Sequence, residues 1–123
     1  MMVKSCWTLT ARALSLVLVL LLAGCAQDER STDNTTPIEI AVTIEGGDVT
    51  PSGERIDVKR GQPIEFDVTA DTSGQLHVHS DPAQSFDYEP GTSTFRLTPI
   101  ELPGVVEVEE EDLGQTIVQL EIR

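Results

Sequence analysis

Apolar and polar residues alternate along this chain from Ile38 onward. The first run has an apolar residue at every second position from Ile38 to Ile44, and a Gly46-Gly47 turn follows it. A period of two predicts a strand with one face in a core. Seven further runs repeat the pattern, with inward residues Ile56 and Val58; Ile64, Phe66 and Val68; Leu76 and Val78; Phe86 and Tyr88; Phe95 and Leu97; Val106 and Val108; and Val118, Leu120 and Ile122.

The segments between these runs contain the glycine and proline residues that are typical of tight turns, as at Pro90-Gly91 and Pro103-Gly104. No helical period interrupts the alternation. About eight short strands separated by such turns predict an all-β Greek-key β-sandwich over residues 37–123. A domain of this size buries a single core, which has to supply its stability because both cysteines of the chain, Cys6 and Cys25, precede it.

The first 24 residues have the three parts of a secretory signal. Lys4 and Arg12 give a positive region, an apolar segment from Ala13 to Leu22 follows, and small residues precede Cys25. The apolar segment is too short for a membrane span, which needs about 20 residues. Residues 1–24 are therefore predicted to be a signal peptide.

The sequence Leu22-Ala23-Gly24-Cys25 resembles the lipobox of bacterial lipoproteins. This resemblance implies that Cys25 becomes the first mature residue and carries a diacylglyceryl group and a third acyl chain such as palmitate. Such an anchor would hold the protein on the extracytoplasmic face of the cell membrane. The alternatives are a signal peptide cleaved nearby without lipidation, or a signal anchor.

Residues 25–36 contain the lipidated cysteine and then a polar stretch rich in Ser, Thr, Asp and Asn. Such a composition predicts a disordered tether. A flexible tether of this length would hold the domain on the order of 20 Å from the lipid surface.

The chain has a formal net charge of −13, with 21 acidic and 8 basic residues. Removal of the signal peptide would take away Lys4 and Arg12 but no acidic residue. A surface of this charge repels nucleic acid and anionic lipid headgroups, so nucleic acid is excluded as a partner. Most of the carboxylates are expected to keep the domain soluble.

His77-Val78-His79 contains both histidines of the chain. Positions i and i+2 of a strand project to the same face, so the two imidazoles can share one ion. Imidazole is a ligand that both copper and zinc accept, and Glu109 and Glu110 of the following acidic run are candidates to complete the site. The sequence thus predicts a divalent metal site at His77, His79, Glu109 and Glu110. The alternative is a pair of exposed histidines on an edge strand with no metal.

The order of His-x-His, an Asp-Pro loop, Pro-Gly-Thr, Phe-x-Leu and Leu-Pro-Gly-Val-Val-Glu-Val-Glu is similar to that of cupredoxin-like domains. The resemblance is greatest to small domains of secreted bacterial proteins, including those attached to EfeO-type iron-uptake proteins. In copper-carrying members, His77 would match the first ligand. The thiolate would fall near Glu110, where this chain has no Cys, His or Met. Type 1 copper is therefore excluded on ligand count, and copper can enter only at a thiolate-free site.

Enzyme motifs are absent from the sequence, including the nucleophile elbow, the phosphate loop and His-Glu-x-x-His. We therefore expect a non-enzymatic binding or accessory module of the cell envelope that takes a divalent cation. The competing hypothesis is a metal-free cupredoxin fold that acts as an interaction domain for another envelope protein.

Overall fold

The computed structural model describes residues 36–123. The predicted signal peptide, Cys25 and all but the last residue of the predicted tether lie outside this range. Residues 36–123 contain no helix with the length and hydrophobicity of a membrane span. Nine strands are present: β1 (Ile38–Glu45), β2 (Asp48–Thr50), β3 (Glu54–Val58), β4 (Ile64–Ala70), β5 (Gly74–Val78), β6 (Gln84–Tyr88), β7 (Gly91–Arg96), β8 (Gly104–Glu110) and β9 (Gln115–Ile122).

The predicted all-β sandwich is confirmed, and eight of the nine strands coincide with the eight predicted runs. The additional strand, β2, is three residues long and pairs with the end of β1 through the Gly46-Gly47 turn. A strand of three residues buries one apolar side chain, Val49, and this is too short a segment for alternation to reveal.

The strands form a four-stranded sheet of order β2-β1-β4-β7 and a five-stranded sheet of order β3-β9-β8-β5-β6. The β1–β4 and β3–β9 pairs are parallel, and the other pairs are antiparallel. In β9, the extra residue Ile117 interrupts the register with β8, and Ile117 and Val118 are consequently both buried. Such a bulge increases the local twist of the strand.

The core lies between the two sheets and consists of aliphatic side chains around Phe66, which is 1% exposed. Phe86 of β6 and Phe95 of β7 pack with ring centroids 5.4 Å apart and link the two edge strands. In residues 36–123 no buried side-chain nitrogen or oxygen lacks a hydrogen-bond partner.

The strand directions give the sandwich two distinct ends. At the entry end, where the chain arrives at Thr36, Gln62 Nε2 donates to the Thr36 carbonyl and the Gly61 N–H donates to the Ile100 carbonyl. The entry end comprises Thr36, loops 59–63, 79–83 and 97–103, and Arg123. The opposite end, here the acidic end, comprises residues 45–48, 71–73, 89–90 and 111–114.

Candidate functional site

The two histidines lie on the outer face of the five-stranded sheet. In β5, Leu76 and Val78 point into the core, so the intervening His77 and the following His79 face outward together. Their ring centroids are 4.6 Å apart and the rings meet edge to face at 74°. Strand β5 lies between β8 and β6, so the pair is not on a sheet edge.

Each imidazole is held by one polar neighbour. His77 Nδ1 lies 2.9 Å from Ser85 Oγ on β6, and 3.9 Å from a carboxylate oxygen of Glu111. His79 Nε2 lies 2.7 Å from Glu109 Oε2 on β8. The contacts leave the second ring nitrogen of each histidine without a hydrogen-bond partner among residues 36–123. One nitrogen orients the ring, and the other is available to a ligand.

The pairing of β5 with β8 brings Glu109 to this face. His77 and Glu109 are directly opposite each other across the two strands. Glu107 lies on the same outer face but accepts a hydrogen bond from the Thr116 hydroxyl, away from the imidazoles. Of the four predicted metal ligands, His77, His79 and Glu109 therefore lie on the same outer face, and the contact shown with Glu109 is that of His79.

Glu110 is separated from this group, because consecutive strand residues project to opposite faces. It is 1% exposed and points into the core. Its Oε1 accepts a 2.8 Å hydrogen bond from the Tyr88 hydroxyl, and its Oε2 accepts one from the Leu113 N–H. The prediction that Glu110 joins Glu109 on the metal thus does not match this geometry.

Tyr88 and Glu110 meet beside Gly74, which is directly opposite Tyr88 in the β5–β6 pair. A Cβ atom at Gly74 would overlap the Tyr88 hydroxyl and the Glu110 carboxylate. Burial, followed by the hydrogen bond to Glu110, raises the pKa of Tyr88 well above its ordinary value of 10.0. This network is not among the sequence predictions, although the alternation that begins at Val106 and Val108 places Glu110 on the core face.

The chemistry of the available side chains limits which metal centres fit. Residues 36–123 contain no cysteine or methionine, and their two histidines are His77 in β5 and His79 directly after its end. The donor set of type 1 copper, a thiolate with two imidazoles, does not fit these residues. In this part of the chain no group of three or more His, Cys, Asp or Glu side chains is arranged to hold a metal ion. A metal at His77 and His79 would have to complete its coordination with water or a repositioned carboxylate.

No protein-family model matches the chain, and no curated protein matches it. Among solved structures, two amicyanin mutants in the Cu(I) form superimpose with TM-scores of 0.51, at 12% and 13% identity. Each match covers 69% of this chain and 82% of amicyanin. A blue copper oxidase from Nitrosomonas europaea gives a TM-score of 0.53 at 14% identity and covers 72% of this chain. This chain spans 44% of that oxidase, less than half its length.

These similarities confirm the cupredoxin-like fold predicted from the sequence. At sequence identities this low, the similarity supports a shared fold but not a shared function. The similarity does not show that this chain binds copper. Whether a metal binds depends on His77, His79 and the side chains around them.

Proposed function

We propose that this chain is a cell-envelope lipoprotein, anchored through lipid on Cys25, whose cupredoxin-like domain is a non-enzymatic binding module for a divalent cation, Cu(II) or Zn(II). The observation that supports cation binding is the pairing of His77 and His79, each with one ring nitrogen held by a neighbour and one available. Hydrogen bonds from the second imidazole nitrogen to a carboxylate or hydroxyl are the usual support of metal-ligating histidines.

The proposed ligands are His77 Nε2 and His79 Nδ1, with water or the Glu111 carboxylate completing the coordination. Glu111 lies 3.9 Å from His77 Nδ1, and its side chain, which is 57% exposed, would have to turn toward Nε2 to reach a bound ion. Two imidazoles with oxygen ligands favour Cu(II) and Zn(II) over harder ions such as Mg²⁺. The site is on the surface and has few protein ligands. We therefore expect a dissociation constant on the order of micromolar, weaker than that of a structural metal site.

The test is a calorimetric titration of residues 37–123 with Cu(II) and then Zn(II). We expect one ion to bind per chain, and the His77→Ala/His79→Ala double variant to lose this binding. Gln75→Ala is the matched control, because Gln75 precedes the pair on the same face of β5 and bonds Asp87 instead. An isotherm that the double variant retains would remove the metal hypothesis.

Lipidation has a separate test in cells. A Cys25→Ser substitution is expected to leave unprocessed precursor or to release the protein from the membrane, because the sulfur that carries the lipid is gone. Mass spectrometry of the membrane fraction checks this outcome. Membrane-bound Cys25→Ser protein with the mature mass would contradict lipid anchoring and would leave the metal site unaffected.

A second candidate function, docking of a basic envelope protein, is favoured by the distribution of charge. The acidic end contains no Lys or Arg in its described loops, and an open groove of about 520 Å³ lies beside it. Binding that persists in chelator and weakens at high salt would support this function. Charge reversal should be limited to Glu109 and Glu111, because Glu110 is buried. The carboxylates exposed at the acidic end are Glu45, Asp48, Asp71, Glu89, Glu111 and Asp112.

A further inference from the structure

Part of strand β1 has no partner strand on one of its two sides. On one side β1 pairs with β4 from Ile38 onward, but on the other side β2 covers only Thr43 to Glu45. After Thr50 the chain leaves this sheet and crosses to β3 in the other sheet. Within residues 36–123, the stretch 38–42 is therefore a free sheet edge, here the open edge of β1. Neither proline nor lysine, which commonly protect such edges, occurs in this stretch.

The hydrogen-bond pattern shows which main-chain groups face the open edge. The Ile38 N–H donates to the residue that precedes β4, and the Ile44 carbonyl accepts from the residue that follows β4. These bonds direct the main-chain groups of the even-numbered residues of β1 toward β4. Because the direction alternates along a strand, the N–H and C=O groups of Glu39 and Ala41 point toward the open edge. They repeat at about 6.8 Å, the spacing at which another extended chain presents its own groups.

A groove of about 430 Å³ lies beside the open edge, between β1 of one sheet and β3 of the other. Ile38, Ile40 and Ile56 line the groove and are buried or half-buried. On the other side of the sandwich, the edge strands β6 and β7 are linked by the packing of Phe86 on Phe95. A strand added to β1 would direct every second side chain into the groove, so apolar residues at alternate positions fit it.

The charged side chains that line the groove are both acidic, Glu39 and Glu54. Both residues are exposed, and neither is ion-paired within residues 36–123. Arg55 projects from the other face of β3, where it lies 3.9 Å from Glu121, and the basic residues at 59–60 lie outside the groove lining. Side chains on neighbouring strands attract when their charges are opposite, so the open edge favours an added strand with basic residues.

We propose that the open edge of β1 binds an extended segment of a partner protein in which apolar and basic side chains alternate. The main chain of this segment pairs with Glu39 and Ala41. Its apolar side chains enter the groove toward Ile40 and Ile56, and its basic side chains lie beside Glu39. Strand addition of this kind takes its affinity from main-chain hydrogen bonds and its specificity from the alternate side chains. The inference is independent of the proposed cation site and lipid anchor.

The experiment uses the full chain, purified in mild detergent, and a fluorescent peptide of alternating Lys and Val that is long enough to span the stretch 38–42. Fluorescence anisotropy measures binding, and amide hydrogen exchange followed by NMR reports on the N–H groups of Glu39 and Ala41. The control peptide has the same charge but carries N-methyl groups on the main-chain nitrogens that would face β1. It separates strand pairing from general attraction to an acidic protein.

We expect the Lys-Val peptide to bind and to slow the exchange of the Glu39 and Ala41 amides, and the N-methylated peptide to do neither. Ala41→Pro removes one N–H at the open edge but no hydrogen bond to β4, and should weaken binding about tenfold or more. Glu39→Lys, which leaves the main chain intact, should weaken binding to a similar extent.

Glu45→Lys is the matched control for Glu39→Lys. Glu45 lies on the same exposed face of β1, but its main chain is paired with Asp48 and it is on the order of 20 Å from Glu39 along the strand. Attraction over this distance is largely screened at physiological salt, so Glu45→Lys should leave peptide binding nearly unchanged.

Equal losses for Glu39→Lys and Glu45→Lys, equal binding of the two peptides, or no binding of the Lys-Val peptide to the folded protein would overturn the proposal. Slow exchange of the Glu39 and Ala41 amides in the protein alone would also overturn it, because the edge is then already covered. Protection that falls on dilution would identify a second copy as the cover, and protection that does not would identify residues 26–35 of the same chain.

Discussion

The Tyr88 hydroxyl donates a 2.8 Å hydrogen bond to Glu110 Oε1 in the core, at the end of the sandwich opposite the point where the chain enters. The second carboxylate oxygen accepts from the Leu113 N–H, so one buried side chain joins β6, β8 and the loop before β9. The resemblance to copper-carrying domains places a thiolate near Glu110. Here both oxygens at that position accept hydrogen bonds from protein donors, and these bonds hold the loop.

Gly74→Ala should destabilise the domain by about 1–3 kcal/mol, because the added methyl group overlaps the Tyr88 hydroxyl and the Glu110 carboxylate. Urea unfolding measures the change. In the Tyr88→Phe background the nearest overlapping atom is gone, so the same substitution should cost less. Equal costs in the two backgrounds would show that Gly74 is not constrained by the hydroxyl.

Alkaline pH should destabilise the domain through Tyr88, its single tyrosine. The folded state raises the pKa of Tyr88 above 10.0, so the unfolded chain releases this proton first. The contribution of Tyr88 to the free energy of unfolding should therefore be constant below about pH 10 and fall by about 1.4 kcal/mol per pH unit above it, until the folded protein also ionises. Urea unfolding between pH 8 and about pH 11.5 tests this. A Tyr88→Phe variant that shows the same fall would assign it to other groups.

Glu109→Ala and Glu110→Ala should differ sharply although the residues are adjacent. Removal of Glu110 leaves the Tyr88 hydroxyl and the Leu113 N–H without their partner in the core, at a cost of about 3–5 kcal/mol. Removal of Glu109 breaks a half-exposed contact with His79 and should change stability by less than about 1 kcal/mol. Thermal unfolding of the two variants provides the comparison, and similar losses would contradict the assignment of Glu110 to the core.

Alternation of apolar and polar residues was sufficient to predict the sandwich, because every long strand has one face in the core. The outward pairing of His77 and His79 follows from the same period, since Leu76 and Val78 are inward. The predicted place of Glu110 beside Glu109 differs from its position in the structure, because consecutive strand residues face opposite sides and an acidic run is therefore not one exposed surface. The partner that makes its burial favourable, Tyr88, is 22 residues away in sequence, and only the β5–β6 and β5–β8 pairings bring the two together.

Other parts of the site depend on contacts between strands, which the local sequence pattern does not predict. Ser85 orients His77 from the neighbouring strand. The register between β5 and β8 places Glu109 opposite His77, and the His79 N–H donates to the Glu107 carbonyl, so the side-chain contact of His79 with Glu109 is diagonal. The Glu107 side chain accepts from Thr116 instead.

Metal affinity should depend on Glu109 but not on Glu107. Glu109 holds His79 Nε2 at 2.7 Å, and loss of such an orienting carboxylate typically weakens metal binding about 10–100-fold. We expect Glu109→Gln to lower Cu(II) affinity within this range, and Glu107→Gln, on the same face but bonded to Thr116, to leave it unchanged. Calorimetry measures the affinities of the two variants and of the unaltered protein. Equal effects of the two substitutions would mean that general surface charge, rather than the held imidazole of His79, attracts the ion.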